Sequence, residues 1–175
     1  RKNKLLIIMS VTSLFLVILV GGIGGAVVLT ELEPSLRTLH LFLAQIIIFT
    51  LGISLISLYI PNDASYKDMW ILDRYSIIVG VVAITIIMAL LTGSYAVWKG
   101  AGTVCSSWPL CTSVSILPKS ELGWIHMIHR ITSSFAGILG LYAFYIILRN
   151  NFGRSIMIIS AFSFLMIITQ IILGA

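Results

Sequence analysis

The chain has 175 residues, of which 59% are hydrophobic and only 10% charged, and its formal net charge is +5. Soluble globular domains carry about 25% charged residues, so this composition excludes a water-soluble enzyme or binding module. The positive charge does not mark a nucleic-acid partner either, because no stretch interleaves basic and aromatic side chains.

Five apolar stretches follow one another, at residues 5–29, 36–60, 75–98, 122–148 and 155–175. Each is close to the roughly 20 residues that cross a bilayer core. The first is too long for a simple signal peptide, and four similar stretches follow it. The expected fold is therefore all-α, a polytopic bundle of membrane-spanning helices in a lipid bilayer.

The first stretch contains Gly21-Gly22-Ile23-Gly24-Gly25-Ala26 and gives way to Glu31-Leu32-Glu33-Pro34-Ser35. Pro34 cannot continue the first helix and pre-sets the start of the second. His40 lies a few residues inside that second helix, three positions after Arg37. The polar connection at 61–74, with mixed charge, is the natural boundary between two parts of the chain, 1–60 and 75–175.

The third stretch ends Leu91-Thr92-Gly93-Ser94-Tyr95-Ala96, a weak echo of the glycine-rich end of the first and of Leu173-Gly174-Ala175 in the fifth. Small residues at these points let helices approach closely, although glycine is common in membrane helices anyway. The longest loop, 99–123, holds both cysteines, Cys105 and Cys111. His126, His129 and Arg130 open the fourth helix, and the turn Arg149 to Arg154 leads to the fifth. The chain stops inside an apolar run, which reads as a piece of a longer protein.

Basic residues orient the bundle. Arg1, Lys2, Lys4, Lys67, Arg74, Arg149 and Arg154 fall on one side, against Arg37, Lys99 and Lys119 on the other. The positive-inside rule places the N-terminus in the cytoplasm and the cysteine loop on the outer face of a cell membrane. An oxidising exterior permits a Cys105–Cys111 disulfide. Such a pair is either redox-active, substrate-contacting, or a structural staple, and its spacing leaves these open. Trp98, Trp108 and Trp124 read as an outer aromatic belt.

Ionisable groups inside membrane helices point to function. His40 and His129 lie at matched depth, within roughly 10 Å of the outer boundary at 1.5 Å per residue. Imidazoles so placed suit axial ligation of a heme iron. The competing reading is a packing histidine hydrogen-bonded to a Ser or Thr. His126 and His129 share a helix face, but no third ligand at zinc spacing accompanies them. The Arg130 fork suits a carboxylate such as a heme propionate, and Arg37 offers the same or an interfacial anchor.

Taken together, Thr92-Gly93-Ser94, the Cys105 to Trp108-Pro109-Leu110-Cys111 loop and His129-Arg130 resemble the heme A synthase family. Gly24 to Thr30 followed by Leu39-His40-Leu41 resembles the helix pair that carries a partner histidine in that family. The resemblance implies two pseudo-symmetric four-helix halves, eight helices in all, of which this chain matches the third to the seventh. Residues 1–60 would then end the first half and 75–175 begin the second. His40 and His129 would each ligate iron in a different half, with partner histidines outside the chain.

One departure bears on catalysis. In the substrate-holding half the family carries a glutamate three residues before its His-Arg pair, where this chain has His126, and Glu121 is too far upstream to replace it. The segment from Cys105 to Arg130 is thereby assigned to the cofactor-binding half, with the catalytic residues left unidentified. The implied activity is oxidation of the heme O C8 methyl to a formyl group, with heme b as cofactor and heme O as substrate. Its implied partners are the heme O synthase and an unidentified electron acceptor, and a homo-oligomer is possible. Two other readings remain: a b-type membrane cytochrome that only transfers electrons, and a disulfide–quinone oxidoreductase. The last calls for further cysteines, and this sequence has two.

Overall fold

The computed structural model describes residues 2–59, 73–107, 111–112, 117–150 and 152–174. These residues form α1 (Lys2–Leu29), α2 (Pro34–Tyr59), α3 (Arg74–Trp98), α4 (Glu121–Arg149) and α5 (Arg154–Gly174), and include no strand. All five helices are long and apolar enough to cross a membrane. The protein is an all-α, multi-pass membrane protein. Large apolar side chains such as Ile7, Phe49, Ile84 and Phe162 are exposed along the helices, as they are when lipid rather than water surrounds them.

The chain divides into two compact units, Arg1–Ile71 and Leu72–Ala175. The first is the α1–α2 hairpin. α1 ends in a Schellman turn: Glu31 N–H donates to Val28 O at 3.3 Å and Leu32 N–H to Val27 O at 2.9 Å, with Glu31 at φ 52° and Leu32 at φ 69°. That geometry satisfies carbonyls a helix end would otherwise leave bare. Glu33 then caps α2, its carboxylate accepting from Leu36 N–H at 2.8 Å, with Pro34 as the first helical residue. Midway along the hairpin, buried Ser13 and Thr50 join their hydroxyls at 2.9 Å. A hydrogen bond of this kind between membrane helices contributes about 0.6 kcal/mol.

In the second unit α4 is the central helix and packs on both α3 and α5. It supplies most of the buried positions there, Gly123, His126, Met127, Ala136, Gly140 and Ala143, whereas α5 has none. Small residues make close approach possible. A Cβ on Gly137 would stand 2.9 Å from Ile171 Cδ1, and one on Gly140 would stand 3.0 Å from Ile167 Cδ1. One turn further, Phe144 stacks on Phe164 with centroids 5.3 Å apart. At the opposite end of α3, Asp73 accepts from Ser76 N–H at 2.7 Å. That bond holds the exposed carboxyl below its usual range, so the cap stabilises above the ordinary carboxylate pKa and is lost as pH falls through the lowered one.

The α4–α5 seam is testable. Gly140→Ala meets only the movable end of Ile167 and is expected to be nearly neutral. Gly140→Leu overfills the seam and should cost about 1–3 kcal/mol, read as a lower thermal unfolding midpoint in detergent. Equal midpoints for the two variants would contradict this packing.

Candidate functional site

The cap over α4 begins with the end of α3. Gly100 adopts φ +73°, its N–H donates to Val97 O at 3.0 Å, and Ala101 N–H donates to Ala96 O at 2.8 Å. This is again a Schellman turn, here with glycine in the left-handed position that a side chain disfavours. It drives Ala101 into full burial and turns the chain back over the start of α4. Ser120 caps α4, its hydroxyl accepting from Gly123 N–H at 3.1 Å.

Cys105 and Cys111 are joined in a disulfide with Cα atoms 4.3 Å apart. The bridge lies on the first turn of α4, where a Cβ on Gly123 would meet Pro118 Cβ at 2.7 Å and Cys111 Sγ at 3.7 Å. Cys105 and Cys111 are only 7% and 3% exposed and cluster with Met127. A buried disulfide is shielded from thiolate attack, so this geometry is that of a staple more than of an exchange centre. Trp108, Pro109 and Leu110 lie outside the described residues, and with them part of the aromatic belt; Trp98 and Trp124 are exposed.

Two polar side chains of α4 brace the loop. His126 is buried beneath the loop, and its Nδ1 accepts from Cys105 N–H at 3.4 Å. The Arg130 guanidinium donates to Ser107 O at 2.6 Å and to Cys105 O at 3.4 Å. Cys105, Cys111, His126 and Arg130 thus form one cap. Arg130, read from sequence as a propionate binder, here also holds main-chain carbonyls.

One turn further along α4, His129 enters the α3–α4 interface. Its ring enters the space left by the missing side chain of Gly93. A Cβ there would stand 2.7 Å from Cε1, 3.1 Å from Nδ1 and 3.2 Å from Nε2. Cε1 points at Gly93, so the two nitrogens flank the contact. Nδ1 lies 3.4 Å from Thr92 Oγ1 and 3.4 Å from Ser133 Oγ, and Thr92 Oγ1 lies 2.9 Å from Thr132 Oγ1. Hydroxyls from both helices therefore gather on one edge of the imidazole.

His40 is seated the same way in the first unit. A Cβ on Gly24 would stand 3.3 Å from its Cε1 and 3.5 Å from its Nδ1. That Nδ1 is buried and has no hydrogen-bond partner among the described residues. Gly24 and Gly93 each lie five residues before the last residue of their helix, and each helix ends in a Schellman turn. The two hairpins repeat one device: a glycine near the end of one helix receives a histidine from the next. Glycine-rich helix ends are visible in the sequence, but their pairing with the histidines depends on helix register, which no local pattern reveals.

Chemically, each seat presents a single imidazole, beside hydroxyls at His129, which can donate, accept or bind a metal through one nitrogen. No group of three or more His, Cys, Asp or Glu side chains gathers among the described residues. Among the described residues each seat thus offers one imidazole.

Comparison with known proteins gives a partial picture. The chain is similar to the protoheme IX farnesyltransferase of Chloroflexus aurantiacus, 33% identical over 54 residues, 31% of this chain and 9% of that protein. It is also similar to the protoheme IX farnesyltransferase of Haloquadratum walsbyi, 25% identical over 93 residues, 53% of this chain and 19% of that protein. The chain therefore spans less than a fifth of the curated relatives it matches. No protein-family model matches it, and no solved structure does. The similarity is to proteins named for heme modification, and the family expected from the motifs is not among those matched.

The glycine seats predict a graded response. Gly93→Ala must displace the His129 ring by several tenths of an ångström, whereas Gly24→Ala presses His40 only slightly. Any metal complex bound through these histidines should be weakened about tenfold or more by Gly93→Ala and distinctly less by Gly24→Ala, in spectrophotometric titrations. The reverse order would refute the contacts.

Proposed function

We propose that the chain is the part of a heme A synthase-like membrane oxidoreductase that holds portions of two heme sites. The observation that carries this reading is the repeated glycine–histidine seat, with the Thr92 and Ser133 hydroxyls beside Nδ1 of His129. An iron ligand would need one nitrogen bare and the second held by an outer partner, and Thr92 and Ser133 would be that partner at His129. His40 sits in the matching seat of the first unit, and its buried Nδ1, without a partner among the described residues, is a polar group that packing alone does not account for. Heme bound at His129 would supply iron redox chemistry at the outer end of the bundle. His129 and His40 would hold the iron, the disulfide cap covers the start of α4, and the Arg130 fork that braces the cap has the chemistry to meet a propionate.

The reaction proposed for the whole protein converts a ring methyl to a formyl group with water as the oxygen source. In balance, R–CH3 + H2O gives R–CHO + 4 H+ + 4 e−, and the electrons pass to a membrane acceptor. The farnesyltransferase likeness supports the heme pathway and a membrane enzyme. It does not bring farnesyl transfer to this chain, because the match covers too small a share of each relative. The one aspartate among the described residues, Asp73, is engaged as a helix cap. A b-type cytochrome without its own chemistry would use the same seats, and the product separates the two.

The deciding experiment expresses the full-length protein beside a source of heme O and extracts its porphyrins. Heme A is the expected product, with a low-spin heme spectrum that His129→Ala abolishes or reduces severalfold. Heme B as the sole extracted porphyrin would sink the synthase reading in favour of the cytochrome. An unchanged spectrum in His129→Ala would sink both.

A further inference from the structure

The two histidine seats differ in what surrounds Nδ1, and the difference has a chemical meaning at His129. A neutral imidazole carries one proton, on Nδ1 or on Nε2, and only the bare nitrogen can bind a metal. The polar neighbours of the ring decide which: the Thr92 and Ser133 hydroxyls at Nδ1, and the Ala89 carbonyl, which accepts from the ring. Thr92 owns a single hydroxyl proton and has three better claims on it than His129. Its Oγ1 lies 2.8 Å from Met88 O, 2.9 Å from Thr132 Oγ1 and 3.2 Å from Ala89 O, against 3.4 Å to Nδ1. Carbonyls only accept, so the short contact to Met88 O takes the proton. If Thr132 receives it instead, Thr132 has its own carbonyl acceptor in His129 O at 2.9 Å. In either arrangement Thr92 turns a lone pair toward Nδ1.

Ser133 has no such prior commitment. Its hydroxyl, 3.4 Å from Nδ1, can donate to a bare Nδ1 or accept from a protonated one. With the proton on Nδ1, both hydroxyls accept from it and every contact is favourable. With Nδ1 bare, Ser133 is satisfied, but the Thr92 lone pair faces the nitrogen lone pair. Of the two hydroxyls, Thr92 is the one that favours a proton on Nδ1.

We propose that Thr92 is a positioning residue for His129, holding the ring proton on Nδ1 and so keeping Nε2 bare as the ligating nitrogen. The role rests on the proposed reading of His129 as a heme ligand, whereas the tautomer itself does not. Nothing equivalent serves His40, whose Nδ1 has no hydroxyl partner among the described residues.

The test uses the full-length protein with Thr92→Val, which keeps shape and removes the hydroxyl, and Thr92→Ser, which restores it. Ring nitrogen-15 NMR of the heme-free protein, with His129 assigned by its loss in His129→Ala, should show the proton on Nδ1 in the parent and in Thr92→Ser. In Thr92→Val the two tautomers should mix. In the heme-loaded protein Thr92→Val should weaken heme retention by about tenfold and shift the heme midpoint potential, and Thr92→Ser should return both to the parent values. A proton on Nε2 in the parent, or parent-like retention and potential in Thr92→Val, would overturn the proposal. If His129→Ala retained heme with an unchanged spectrum while the NMR result held, the ligand reading would fall and the tautomer assignment alone would survive.

Discussion

Within a bilayer no solvent is at hand to satisfy a polar group, so every donor and acceptor at depth must find a partner inside the protein. That constraint shapes this molecule more than any single contact. It is why α1 and α3 end in Schellman turns that consume their last carbonyls. It is why Ser13 meets Thr50 and Thr92 meets Thr132 across their helix pairs. Even the cap obeys it, since His126 and Arg130 are spent on main-chain atoms of the cysteine loop.

Against that background a glycine near a helix end is not merely a flexible point. At Gly93 the absent side chain is the space His129 fills, and at Gly24 it is the space His40 fills. The same step in sequence, five residues before the end of the helix, puts each seat one to two turns below the turn that follows. Two hairpins that differ in loop length, one closed by Glu31 to Glu33 and the other by a disulfide loop, therefore present their histidines alike. The added loop of the second hairpin is anchored by His126 and Arg130 of α4, and the seat is filled by His129. Variation in the loop and constancy in the seat are thereby separable.

The sequence makes the architecture legible because the signals are local. Apolar runs of bilayer length define five helices, and the helices start one to three residues before those runs because Pro34, Asp73 and Ser120 set polar first turns. The importance of His40 and His129 is visible too, since an ionisable group in an apolar run stands out. What surrounds them is not. Whether Gly93 or Ser94 faces His129 depends on how α3 rotates against α4, and the hydroxyls of Thr92, Thr132 and Ser133 look in isolation like ordinary helix residues. The burial of His126 escaped for a similar reason. It follows from the path of a loop that Gly100 redirects, and a loop's path is set by contacts far apart in sequence.

The seats are alike in shape and unlike in chemistry, and this bears on how two bound groups could behave differently in one protein. For a neutral histidine to ligate through Nε2, Nδ1 must carry a proton. At His129 that proton has two hydroxyl oxygens to meet. At His40 it would be held at a buried nitrogen with no partner among the described residues, at a cost of about 1–3 kcal/mol for the unmet donor. Through 1.4 kcal/mol per tenfold, that handicap corresponds to an affinity lower by roughly one to two orders of magnitude. In the proposed reading, a tightly kept group belongs at His129, where the ring is prepared in advance. A group that must be released after reaction belongs at a seat like that of His40, where binding is penalised. An enzyme that modifies one porphyrin while retaining another needs that inequality, and hydroxyls placed beside one ring and withheld from the other would create it.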